Sequence, residues 1–213
     1  MIKDTIKETT QGEQVKTIVF DLGGVFVDWN PRHLYRKVFP STEEMEWFLT
    51  HVCTSAWNAR QDAGRSFAEG TELLKKDYPA YAQQIDAYFA RWNEMFGPDI
   101  AGTKEIFWEL KAKGFKVYAL TNWSKETFPK AKEMFEVFTQ FDGVLVSGEE
   151  GVNKPDPRIY QRFLDKFSLR AEKCIFIDDN AANVAAAHTV GMDGIQFHHA
   201  EQLREELQKR AIL

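Results

Sequence analysis

After Pro98 the chain alternates between short apolar runs and helix-length amphipathic segments, and this alternation leaves few folds open. Strand-like runs occupy 115–120, 143–146, 174–177 and 195–197. Between and around them, apolar residues spaced by three and four mark helices. These helices end at Gly114, span about 128–138, 157–167 and 181–190, and close the chain over 201–210. One more run, 15–20, is β-branched and aromatic and ends at Asp21, just before Gly23-Gly24. Strands separated by helices of this length predict a parallel sheet with helices on both faces, joined by right-handed crossovers. The fold class is therefore α/β, with a Rossmann-like parallel sheet core.

The alternation is interrupted once. From 31 to 98 the pattern is helical only. Its clearest stretch is 80–96, where Tyr81, Ile85, Tyr88, Phe89, Trp92, Met95 and Phe96 form one stripe, stopped by Gly97-Pro98. The expected division is a disordered lead-in over 1–14, an α/β core over 15–30 and 99–213, and an inserted α-helical cap over 31–98. Composition supports an ordinary globular chain: 213 residues, 44% hydrophobic, and 27 basic against 32 acidic side chains for a net charge of −5. No basic run suggests a nucleic-acid partner. No apolar run approaches the roughly 20 residues of a membrane span, and the opening segment, lacking an apolar h-region, is not expected to be a secretory signal. Cys53 and Cys174 stand far apart, which suits a reducing cytoplasm.

In an open α/β sheet, ligands gather at the carboxyl ends of the strands. Those ends carry Asp21, Thr121-Asn122, Asp178-Asp179-Asn180 and, after Ser147, the loop 151–156 with Lys154. Asp156-Pro157 reads as a plain helix N-cap and first-turn pair. Three carboxylates in one crevice repel unless a cation lies among them, and hard oxygen donors suit Mg²⁺. Lys154 adds a fixed positive charge for a phosphate. A strand-end carboxylate beside a metal and a lysine is placed to attack phosphorus and form an acyl phosphate.

Four segments in order resemble the motifs of the haloacid dehalogenase superfamily, in the subfamily with a helical cap between the first two motifs. They are Phe20-Asp21-Leu22-Gly23-Gly24-Val25, Leu120-Thr121-Asn122, Lys154-Pro155-Asp156, and Phe176-Ile177-Asp178-Asp179-Asn180. The resemblance is to sugar-phosphate phosphatases of the glucose-1-phosphatase type. It implies a central first strand, with Asp21 as nucleophile and metal ligand. It implies Thr121 and Asn122 on the phosphoryl oxygens and Lys154 neutralising the phosphoryl group. Asp178 and Asp179 would hold Mg²⁺ together with the Gly23 carbonyl, Asp179 more directly. Asn183 falls where the longer fourth motif often has an Asp.

One departure stands out. Phosphatases of this family usually carry a second Asp two residues after the nucleophile, to protonate the leaving alcohol. Gly23 stands there, and the help it cannot give is typically worth about 10²–10⁴-fold. The implied reaction is Mg²⁺-dependent hydrolysis of a small phosphorylated metabolite, with sugar 1-phosphates or acyl phosphates favoured as good leaving groups. A metal-independent 2-haloacid dehalogenase-like hydrolase, using Arg32, Arg36 or Arg60 for halide, is one alternative. A catalytically weak binding protein on the same fold is another. The expected substrate contacts are Trp29, Arg60 and Trp123, with Asn30 just after the first motif and Trp57, Asp62 and Arg65 around Gly64 as further candidates. His198-His199 read as loop residues. The expected assembly is a monomer or weak homodimer.

Overall fold

A computed structural model describes residues 17–213. The expected lead-in over 1–14 and the start of the first strand lie outside the described residues. Seven strands are present among these residues: β1 Thr17–Phe20, β2 Val27–Trp29, β3 Phe96–Asp99, β4 Lys116–Thr121, β5 Gly143–Val146, β6 Cys174–Asp178 and β7 Asp193–Gln196. The helices are α1 Arg32–Tyr35, α2 Thr42–His51, α3 Ser55–Asp62, α4 Phe67–Asp77, α5 Ala82–Ala90, α6 Thr103–Ala112, α7 Phe128–Met134, α8 Ser147–Glu150, α9 Pro157–Phe167, α10 Ala181–Thr189 and α11 Ala200–Lys209.

Five strands form one parallel sheet in the order β5-β4-β1-β6-β7, with β1 at the centre as expected. Side chains alternate across a strand, and here both faces are buried. Ile18, Phe20, Val117, Ala119, Ile175 and Ile177 enter one apolar cluster; Val19, Leu120, Cys174 and Phe176 enter the other. The first cluster also takes Ile106, Phe107 and Leu110 of α6 and Leu203 and Leu207 of α11. The second is closed by Ile159, Tyr160, Phe163 and Leu164 of α9. Burial on both faces explains why the sheet strands read as continuous apolar runs.

The stretch between β2 and β3 holds α1 to α5, and the expectation of helices alone needs two corrections. β2 and β3 pair antiparallel where the chain leaves and re-enters the sheet region, with Val27 opposite Asp99 and Trp29 opposite Phe96. The expected 80–96 helix is broken. A 3₁₀ turn at Pro79–Tyr81 precedes α5, a second follows at Trp92–Met95, and Phe96 is already extended. The break falls at Arg91, whose backbone (φ −117, ψ 24) leaves the helical region.

The helical stretch shares its core with the sheet, since Tyr35, Phe48, Trp57 and Tyr88 belong to the same cluster as Ile18 and Phe20. No described helix is long and apolar enough to cross a membrane. Phe26 sits at the junction, fully buried, with ring centroids 5.2 Å from Phe20, 6.0 Å from Phe107 and 5.5 Å from Phe141. Phe26→Ala is expected to lower stability by about 3–5 kcal/mol, read from the urea unfolding midpoint.

Candidate active site

β1 ends one residue before Asp21, and the Asp21 N–H bonds the Ile177 carbonyl at 2.8 Å. This continues the β1–β6 register and sets Asp21 beside Asp178, the last residue of β6. Thr121 is the last residue of β4 and is buried. The parallel register thus gathers the three motif ends at one edge, as the strand-end argument requires.

Lys154 arrives from the loop before α9 and is buried between them. Its ammonium contacts Asp21 Oδ1 at 2.9 Å and donates to Asp178 Oδ2 at 2.6 Å and to the Leu120 carbonyl at 2.8 Å. Its three protons therefore have three acceptors. Asn122 holds the lysine from behind: its Oδ1 accepts from the Lys154 N–H at 2.8 Å, and its Nδ2 donates to the Lys154 carbonyl at 2.9 Å. The expectation that Asn122 serves phosphoryl oxygens thus meets a different use, since these bonds leave its amide only one N–H to offer.

The two acidic residues of the fourth motif are not equivalent. Asp178 is fully buried, and its oxygens accept from Lys154, from Asn183 Nδ2 at 3.0 Å and from the Asn180 N–H at 2.8 Å. Asn183 therefore anchors Asp178. Asp179 is exposed, and its carboxylate lies against Gly24; a Cβ built on Gly24 would fall 2.4 Å from Asp179 Oδ2. Gly24 also has φ +74, a conformation that favours glycine. One oxygen each of Asp21, Asp178 and Asp179 lie within 4.8 Å of one another.

The electrostatics follow from three carboxylates sharing one ammonium. Burial pushes the Asp21 carboxyl up to about 7; Lys154 pulls it down, while Asp178 and Asp179 add to the rise. Burial and then Asp178 also raise Asp179. Lys154 is held above the usual lysine range: burial opposes its charge, but Asp178 and Asp21 outweigh it. Asp21, Asp178 and Asp179 form the one cluster of His, Cys, Asp or Glu side chains among the described residues that could hold a metal ion.

A pocket with about 400 Å³ of empty space, part of it open to solvent, reaches the site at Gly23 and Asn122. Trp29, Phe67, Trp92 and Trp123 supply its aromatic lining; Gly23, Asn58, Asp62, Asn122 and Thr127 supply the rest. Of the expected substrate contacts, Trp29 and Trp123 line this pocket. Arg60 does not: it is exposed on α3 and does not line the pocket. Trp57 packs inside the helical stretch, its Nε1 donating to the Gly70 carbonyl, and Arg65 is taken up by Gln61. Asn30 accepts from the Arg32 N–H, and Arg32 pairs with Glu46 through two bonds of 2.6 Å. Asp156 caps α9, and His199 caps α11 away from the site. Asn58, Phe67, Trp92 and Thr127 also line the pocket and are not among the expected contacts. For Asn58 a signal existed, since it stands four residues before Asp62 on the same helix face.

These features are those of a hydrolase of the α/β class with strand-end aspartates. The haloacid dehalogenase-like hydrolase family profile matches residues 15–191, and the chain belongs to that family. A sesquiterpene phosphatase of Aspergillus oryzae is 29% identical over 182 residues, 85% of this chain and 89% of its own length. An (S)-2-haloacid dehalogenase of a Pseudomonas strain is 27% identical over 137 residues, 64% of this chain and 55% of its own. Other relatives are longer proteins, of which the chain spans 36% and 19%. Among solved structures, a family enzyme of Bacteroides thetaiotaomicron in complex with magnesium and inorganic phosphate superposes with a TM-score of 0.64. It is 21% identical, with 87% of this chain and 95% of that one covered.

Lys154→Met leaves Asp178 buried without its counter-charge. It is expected to cost about 3–5 kcal/mol in chemical denaturation. Adding Asp178→Asn should recover a substantial part of that loss; a double variant no more stable than the single one would contradict the pairing.

Proposed function

We propose that this chain is a Mg²⁺-dependent phosphatase that hydrolyses a small phosphorylated metabolite through an aspartyl-phosphate on Asp21. The observation that carries this is Lys154 buried between Asp21 and Asp178 while Asp179 stays open. A lysine fully paired in this way holds the nucleophile still, and its charge lies where a phosphoryl group would arrive. The donor set fits a hard divalent cation: three carboxylates against one ammonium, all oxygen ligands, with room for Asp179 that only a glycine at 24 leaves. Asp21, Asp179 and the Gly23 carbonyl would hold the ion, with Asp178 anchoring Lys154. When bound, Mg²⁺ would draw charge from the phosphoryl oxygens.

Asp21 then attacks phosphorus while Lys154 fixes its orientation. Thr121 and the remaining N–H of Asn122 serve the phosphoryl oxygens. Helices α1 to α5, the proposed cap over 31–98, cover the crevice and exclude water. The metal cluster and the pocket lining weigh against the dehalogenase alternative. No arginine lines the pocket among the described residues, and Arg32 is spent on Glu46. The two buried free cysteines suit a reducing cytoplasm.

The pocket shifts the substrate away from the sugar 1-phosphates and acyl phosphates that Gly23 alone favours. Four aromatic side chains recognise an apolar leaving group better than a polyhydroxylated one. The likeness to a sesquiterpene phosphatase over most of the chain supports an alkyl or prenyl phosphate.

In a phosphate-release assay with Mg²⁺, kcat/KM is expected to be higher on a medium-chain alkyl or prenyl phosphate than on glucose 1-phosphate. A chelator should abolish both rates. No phosphate from any of them with metal present would refute the proposal, and chelator-resistant halide release from a 2-haloacid would select the dehalogenase reading. Asp21→Asn is expected to abolish turnover with an unchanged circular dichroism spectrum. Mg²⁺ should raise the calorimetric Tm of the wild-type chain and not that of Asp179→Asn.

A further inference from the structure

Cleaving a phosphate ester of a simple alcohol puts charge on the leaving oxygen, and the group that stands two residues after the nucleophile here is Gly23. Around the pocket it shares with Gly23, Asp62 is the one ionisable side chain in the lining. It is the last residue of α3 and so faces the site from the helical stretch. Its carboxylate accepts from Asn58 Nδ2 at 2.9 Å and from the backbone of Ser124, two residues past Asn122.

The helix end carrying Asp62 is fastened to the sheet loops. The Asp62 carbonyl accepts from Ser147 Oγ at 2.5 Å, and the same hydroxyl accepts the Trp123 N–H at 2.9 Å. The Ala59 carbonyl accepts from Asn153 Nδ2 at 2.6 Å, one residue before Lys154. At 67 the chain is tied again, its N–H donating to Glu126 Oε2 at 2.7 Å. Between these ties Gly64 passes so close that a Cβ would lie 3.1 Å from the Gly148 carbonyl, in a conformation (φ +98) that favours glycine. Asp62 is thereby fixed relative to Asp21 rather than carried on a free loop.

We propose that Asp62 is the general acid and base that Gly23 cannot be, an inference that rests on the phosphatase reading above. In the first step Asp21 Oδ bonds phosphorus, the bond from phosphorus to the leaving oxygen breaks, and the protonated Asp62 gives its proton to that oxygen, releasing the alcohol. In the second step a water attacks the aspartyl-phosphate and Asp62 takes one of its protons. The Asp21–phosphorus bond breaks, inorganic phosphate leaves, and Asp62 is again protonated. The environment suits the role: burial, with the Asp21 charge adding, pushes the Asp62 carboxyl up to about 7 against the Ser124 bond, so that it carries a proton near neutrality. A matched acid is worth about 10²–10⁴-fold.

The test uses the full chain with Mg²⁺ and two esters, p-nitrophenyl phosphate, whose leaving group needs no proton, and decyl phosphate, whose leaving group does. For Asp62→Asn, decyl phosphate turnover should fall by about 10²–10⁴-fold without a burst. The nitrophenyl ester should give a stoichiometric burst of nitrophenolate followed by slow turnover. Gly23→Asp added to Asp62→Asn should then restore at least about tenfold on decyl phosphate. Space for this exists, since a Cβ on Gly23 meets nothing within 4 Å. Undiminished decyl phosphate turnover in Asp62→Asn overturns the proposal. So does an equal loss on both esters with no burst and no rescue, which marks a structural role. A wild-type chain that releases phosphate from neither ester overturns the phosphatase reading itself, a separate result.

Discussion

The buried Lys154 ammonium is the interaction on which the site and the centre of the sheet both depend. It meets Asp21 beyond β1, Asp178 at the end of β6 and the Leu120 carbonyl of β4. These are the three central strands, so one side chain ties their carboxyl ends together. Taking an ammonium out of water costs several kcal/mol, and the attraction returns it only if every proton finds an acceptor. Here all three do. The converse burden falls on the acids. With Asp179 included, three carboxylates face one ammonium, an arrangement poised for a further positive charge.

That same imbalance explains the division of labour within Asp178-Asp179. Adjacent residues at a strand end point to opposite sides. Asp178 turns inward, where Asn183 and the Asn180 N–H complete its hydrogen bonds. Asp179 turns outward over Gly24. Neither could exchange roles with the other, because only the inward position reaches Lys154 and only the outward one lies against a residue lacking Cβ.

The sheet was legible in the sequence because its strands are buried on both faces, which writes each as a continuous apolar run ending in a chemically distinctive residue. The register then aligns Asp21, Thr121 and Asp178 at one edge, and the loop before α9 adds Lys154. β2 and β3 were not legible. They are three and four residues long, one contains Gly97-Pro98, and each is defined by a partner about seventy residues away. Trp92 was hidden for a related reason. Its spacing fits the stripe of α5, but the helix breaks at Arg91 and the indole ends up lining the pocket. On α3 the phase is readable. Residues three and four apart share a face, so Asn58 and Asp62 point one way while Arg60 points out to solvent.

The two glycines after the nucleophile have opposite meanings. At 24 the positive φ strains any side chain, and a Cβ would displace the Asp179 carboxylate. At 23 nothing forbids one, so the missing carboxylate there is not a consequence of packing. With the acid placed on α3 instead, proton transfer depends on contacts that join the helical stretch to the sheet: Ser147 to the Asp62 carbonyl, Asn153 to Ala59, Glu126 to the backbone at 67. An acid on the nucleophile's own loop would act whether the crevice were covered or open. An acid on the helical stretch would act only while those contacts hold. On the proposed reading, proton transfer to an alkyl leaving group is thereby tied to the contacts between the helical stretch and the sheet loops.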